Sequence, residues 1–166
     1  MFLGLIFAMI ACAADDSTTQ ERRDAVTRTT FKELTELQLR AELINVGKLQ
    51  IMNVQAPHWH EQKAMIAEAL TKWDAKNGTN NWDRAAVHFE EAIAAWEIIA
   101  ENKKHKRTEE APHRIGRLHL YAGAARANEK KWKEAKAHYE AAGKVDALKK
   151  EAEEALKVLK EKQEKK

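Results

Sequence analysis

The chain reads as an all-α protein, a short right-handed stack of antiparallel helix hairpins with about six helices. Three observations predict this. Ala, Glu and Lys dominate a sequence of 166 residues that holds only two prolines and six glycines, and those side chains lose little rotamer freedom in a helix. Runs of β-branched residues in strict alternation, the mark of strands, are absent. One eleven-residue phrase occurs twice, as WDRAAVHFEEA at 82–92 and WKEAKAHYEAA at 132–142.

The N-terminal segment stands apart. Residues 2–11, FLGLIFAMIA, are apolar and uncharged, and are too few for a membrane-spanning helix, which needs about 20 residues. They suit an export signal over 1–13, with Ala11 and Ala13 in the small-x-small pattern for cleavage. MIAC at 9–12 also resembles the bacterial lipobox, which implies lipidation at Cys12, the chain's only cysteine. The expectation is an exported protein, periplasmic or membrane-anchored through Cys12. Residues 14–29 read as a linker with a short helical piece near its end.

The helical domain then runs over 30–166. An N-terminal helix is expected at 30–55, with Phe31, Leu34, Leu37, Ala41, Ile44 and Ile51 on one stripe, one break aside. APH occurs at 56–58 and again at 111–113, and proline suits a first helical turn, where its missing N–H would have had no partner. Each copy therefore runs proline, helix, break, Trp-led helix, giving hairpins at 56–105 and 111–144. Residues 145–164 make a C-terminal capping helix with Val145, Leu148, Ala152, Leu156 and Leu159 on one stripe.

The repeated phrase pairs Trp82 with Trp132, Ala85 with Ala135, Phe89 with Tyr139 and Ala92 with Ala142. Offsets of 0, 3, 7 and 10 share one helix face, and small residues between rings let a second helix approach closely. With Gly123 twelve residues before Ala135, the second copy resembles a tetratricopeptide repeat from roughly Gly116 to Lys149. The resemblance gives Gly123 a close-packing role and lets Asp146 cap the next helix. His119, Ala122 and Arg126 depart from the pattern, which prefers Trp, Leu and Tyr there.

The resemblance also implies protein–protein binding along the face of the first helices. That face carries Arg117, Leu120, Ala124 and Asn128 in the second copy and Gln62, Met65, Ala69 and Trp73 in the first. A groove of Met65, Leu120 and Trp73 with Arg117 at its edge suits an apolar peptide bearing a negative group. The partner expected is a protein or peptide, and the work expected is that of an adaptor or accessory subunit of an envelope-associated complex.

Catalytic signatures are missing from the sequence, which points away from an enzyme and calls for no cofactor. HEQKA at 60–64 begins like a zincin helix, but Ala64 stands where the second metal-binding histidine is required. His58 and His60 are two apart, so a helix points them apart. A metal or small-ligand protein using these histidines is the alternative reading. His88 and His138 recur through the duplication and read as structural, and Glu90 and Glu91 as surface charge. With a net charge of +3 and a basic run confined to Lys103, Lys104, Lys106 and Arg107, no concentrated face invites nucleic acid.

Overall fold

The computed structural model describes residues 17–52, 56–74 and 81–164. Cys12 and the export segment, together with most of the loop 76–81, lie outside the described residues. Among the described residues seven α-helices follow in order: α1 Ser17–Glu33, α2 Glu36–Met52, α3 Pro57–Asp74, α4 Asn81–Glu101, α5 Ala111–Asn128, α6 Trp132–Ala142 and α7 Lys149–Glu164. There is no strand among the described residues. The architecture is an all-α stack in which α2 to α7 each pack mainly on their neighbours in the chain.

The all-α stack with about six helices is as expected, and the additional helix comes from the stretch 14–29. The stretch expected to be a linker is helical from Ser17, and Asp24 within it is buried. Its threonines, poor helix formers, close local bonds instead: Thr29 and Thr30 hydroxyls donate to the carbonyls of Ala25 and Val26, both at 2.9 Å. The chain breaks at Leu34–Thr35 because Thr35 and Gln38 form a reciprocal cap. Gln38 Oε1 accepts from the Thr35 backbone N–H at 2.9 Å, and the Gln38 N–H reaches Thr35 Oγ1 at 3.4 Å.

That cap resets the helical register and overturns the expected stripe. On α2 the residues turned inward are Leu39 and Val46, both fully buried, while Leu37 and Ile44 stand 79 % and 60 % exposed. α1 then departs from the hairpin pattern, packing chiefly on α3 rather than on α2.

Three apolar clusters hold the stack. Phe31, Leu39, Val46, Met65, Ile66 and Leu70 join α1 and α2 to α3. Phe89, Ile93, Trp96, Leu118 and a bed of alanines, including Ala85 and Ala92, join α3, α4 and α5. Leu120, Ala135, Tyr139, Ala142, Leu148, Ala152 and Leu159 join α5, α6 and α7. Trp82 and Trp132, the leaders of the repeated phrase, pack against the second and third of these. At Gly123 the Tyr139 ring comes so near that an added Cβ would lie 2.6 Å from Cε1. Asp146 opens a 3-10 turn, Asp146–Leu148, with no side-chain cap bond.

Candidate functional site

The expected groove does not form as one surface. Met65 is buried with the α1–α2–α3 cluster and Leu120 with the α5–α6–α7 cluster. Each is closed over by the helix at its own end of the stack, so the two do not line a common trough. Arg117 pairs with Glu151 of α7 at 2.5 Å. Gln62 is half-buried, and Trp73 and Asn128 are exposed.

α1 crosses the first helices of both hairpins instead. From α5, Arg114 donates to Asp24 of α1, Nη1 to Oδ2 at 2.5 Å and Nη2 to Oδ1 at 3.1 Å. The same guanidinium meets Glu61 of α3, with Nε 3.2 Å from Oε1 and a short contact from Nη2 to Oε2. Trp96 Nε1 donates to Glu61 Oε1 at 2.7 Å. Burial works against the Arg114 charge, but Glu61 and Asp24 outweigh it and raise its pKa well above the ordinary value. Four residues along α1, Arg28 lies 3.6 Å from the centre of the Tyr121 ring and 3.3 Å from Glu68, a cation–π and ionic clamp.

Four of the seven histidines gather at two places. On α4, His88 and Glu91 are three apart and share a face; His60 of α3 comes to meet them. Glu91 Oε2 accepts from His60 Nδ1 at 2.9 Å and from His88 Nδ1 at 2.8 Å. Burial tends to raise the Glu91 carboxyl, but the bonds from His88 and His60 hold it below its ordinary value. The Gln50 amide of α2 lies 3.0 Å from His60 Nε2. Between α5 and α6, His119 and His138 meet Nδ1 to Nδ1 at 2.9 Å, and His138 Nε2 reaches Glu90 at 3.2 Å. Burial, then His138 and Lys144, push His119 down to about 4, against the pull of Glu90.

His60 is buried, whereas His58, two residues before it, is exposed. One expectation is corrected here. Glu90 and Glu91 are more than surface charge: being adjacent on α4, they face different sides and serve different histidine pairs. Glu90 also receives Arg126 through two bonds of 2.9 and 3.0 Å. Arg126 thereby makes an ionic tie between α5 and α4.

Among the described residues, His60, His88 and Glu91 are the group able to hold a metal ion, their ligand atoms all lying within 4.8 Å of one another. In the basic joint after α4, Arg107 lies 4.5 Å from the centre of the Trp96 ring and pairs with Glu110, while Lys103, Lys104 and Lys106 are exposed. No helix among the described residues is long and apolar enough to cross a membrane. No family model, curated protein or solved structure matches the chain.

Proposed function

We propose that the chain is a tetratricopeptide-like protein-interaction module, an exported adaptor or accessory subunit of an envelope-associated complex, and that its docking surface is the outer face of α2. One observation carries this reading: α2 is apolar on two faces, and among the described residues only one of them is covered. Leu39 and Val46 are packed inside; Leu37, Ala41 and Ile44, at offsets of four and seven, form an exposed stripe on the other side. A helix apolar around its circumference belongs between two neighbours.

The two ends of the stack differ in this respect. α7 turns Leu159 and Ala152 inward and presents mostly Lys and Glu outward, as an end helix in water requires. α2 ends the other side with a row that a partner helix would fill by i, i+4, i+7 contacts. In this reading the apolar segment 2–11 directs export, and Cys12 tethers the module near membrane partners, raising its effective concentration.

The test compares wild-type protein with Leu37→Glu/Ile44→Glu as baits in gently solubilised native envelope. Both side chains are largely exposed, so the double variant should melt as the wild type does. A stoichiometric protein held by the wild type and lost by the variant supports the reading. A partner held equally by both removes α2 from the docking surface.

A further inference from the structure

The histidine cluster between α3 and α4 has the chemistry of a metal site. Two imidazole nitrogens and one carboxylate oxygen converge on one point from two helices. Imidazole with carboxylate suits divalent first-row transition metals, whereas calcium and magnesium want oxygen ligands alone and copper(I) wants sulfur. His88 and Glu91 come from adjacent turns of α4 and His60 from α3, so an ion there would clip the first hairpin together.

The three groups are held together by hydrogen bonds that a bound cation would replace. Both histidines aim Nδ1 at the same oxygen, Glu91 Oε2, at 2.9 and 2.8 Å. Each contact needs a proton on Nδ1. Moving that proton to Nε2, or losing it, turns the Nδ1 lone pair toward the shared point. The Gln50 atom nearest His60 is its amide nitrogen, 3.0 Å from Nε2 and 3.3 Å from Nδ1; it donates to the bare Nε2 of the present tautomer, and a half-turn of the amide would set its carbonyl to accept from Nε2–H. Such a bond to the far nitrogen fixes the tautomer of a ligating histidine. Zinc bonds of about 2.0–2.2 Å in tetrahedral geometry separate ligand atoms by roughly 3.3 Å. The two nitrogen–oxygen separations, 2.9 and 2.8 Å, need to open by only a few tenths of an ångström to reach it, and the third pair lies within 4.8 Å.

Exposure fits too. The His60 side chain is deep, at 11 %, while the Glu91 side chain is 45 % exposed. That leaves a route for the ion and a fourth position for water. The other histidine pair lacks this form: Glu90 sits on the far nitrogen of His138, so its acid and its two Nδ1 atoms do not converge.

We propose that His60, His88 and Glu91 form a three-ligand binding site for one divalent transition-metal ion, zinc by its geometry, with Gln50 orienting His60. The ion is structural or regulatory for the hairpin and leaves one coordination position open.

The test uses full-length chain without a polyhistidine tag, stripped with chelator and titrated with zinc chloride by calorimetry. Cobalt(II) absorption serves as a second reading of coordination geometry. One equivalent of zinc should bind, tetrahedral cobalt bands should appear, and the melting temperature should rise by about 5–10 °C at a hundredfold excess over Kd. His88→Ala, on a partly exposed side chain, should weaken zinc by more than about a hundredfold and abolish the cobalt bands. His58→Ala and Cys12→Ser should leave both intact. Absence of a one-to-one event, or binding that survives His88→Ala or is lost with Cys12→Ser, overturns the site.

Discussion

Asp24 and Arg114, ninety positions apart in the chain, form a buried ion pair that fastens α1 across the helical stack. The pair is not isolated, for Glu61 shares the guanidinium and takes the Trp96 indole N–H. All three charged side chains are nearly excluded from water. Their worth lies less in net stabilisation than in what their separation would leave behind.

Replacing Arg114 with Met strands two carboxylates in the interior. Breaking a buried pair from one side costs about 3–5 kcal/mol, a large share of a typical domain's stability of about 5–15 kcal/mol. Asp24→Asn leaves Arg114 with Glu61 and retains an acceptor, so its effect should be about 1–2 kcal/mol. Urea unfolding of both variants measures this. An Asp24→Asn cost near zero would mean that α1 is not fastened by the pair.

This network shows where sequence reading reached its limit. The three-residue and four-residue spacings around Ala85, Phe89, Ala135 and Tyr139 marked the packed faces, because a repeated core face is written in residue size. α1 was legible only in part: its polar residues and threonines carry no apolar stripe, and it is held by charges whose partners lie far away in the chain. The TELQ cap at 35–38 was readable, as a Thr followed three residues later by Gln. It would have separated α1 from α2 and redirected the stripe of Leu37 and Ile44. The meeting of His60 with Glu91 could not be read locally, since it depends on the pitch of α3 against α4.

Gly123 offers a test of the close approach in the second hairpin. A methyl group there would lie 2.6 to 3.1 Å from three atoms of the Tyr139 ring, and a buried ring in a packed cluster has little room to retreat. Gly→Ala in a helix ordinarily gains up to about 1 kcal/mol; overpacking costs about 1–3 kcal/mol. The net expectation for Gly123→Ala is destabilisation by about 1–2 kcal/mol. Adding Tyr139→Leu should make the alanine less harmful than it is alone, a coupling that a double-mutant cycle reads directly. Additive effects would remove the ring from the explanation.

Lys130 gives the opposite sign. It sits at φ 65° just past α5, with the Lys131 N–H on the Arg126 carbonyl at 3.0 Å and its own N–H on Ala127 at 3.1 Å. This is the Schellman arrangement, in which glycine is the usual occupant. A left-handed conformation costs an L-residue about 1–2 kcal/mol, partly offset because glycine has more freedom to lose on folding. Lys130→Gly should therefore stabilise the protein by about 0.5–1 kcal/mol in thermal or urea melts. A loss of stability would place an unrecognised role on the lysine side chain.

The His119–His138 contact makes stability depend on pH in a defined direction. An Nδ1 to Nδ1 bond of 2.9 Å needs one donor and one lone pair, so it cannot survive with both rings charged. His119 is held at about 4 in the folded chain, against about 6.5 when unfolded. Between these values the unfolded state binds a proton that the native state does not, and stability rises with pH. The contribution is complete above about pH 6.5 and is lost as pH falls toward 4. Urea midpoints taken from pH 7.5 to 4.5 should fall more steeply for the wild type than for His119→Gln, which keeps a polar group but cannot titrate. Because the carboxylates are common to both proteins, the difference in slope isolates the imidazole. Parallel curves would show that the native state accepts the proton without strain at this pair.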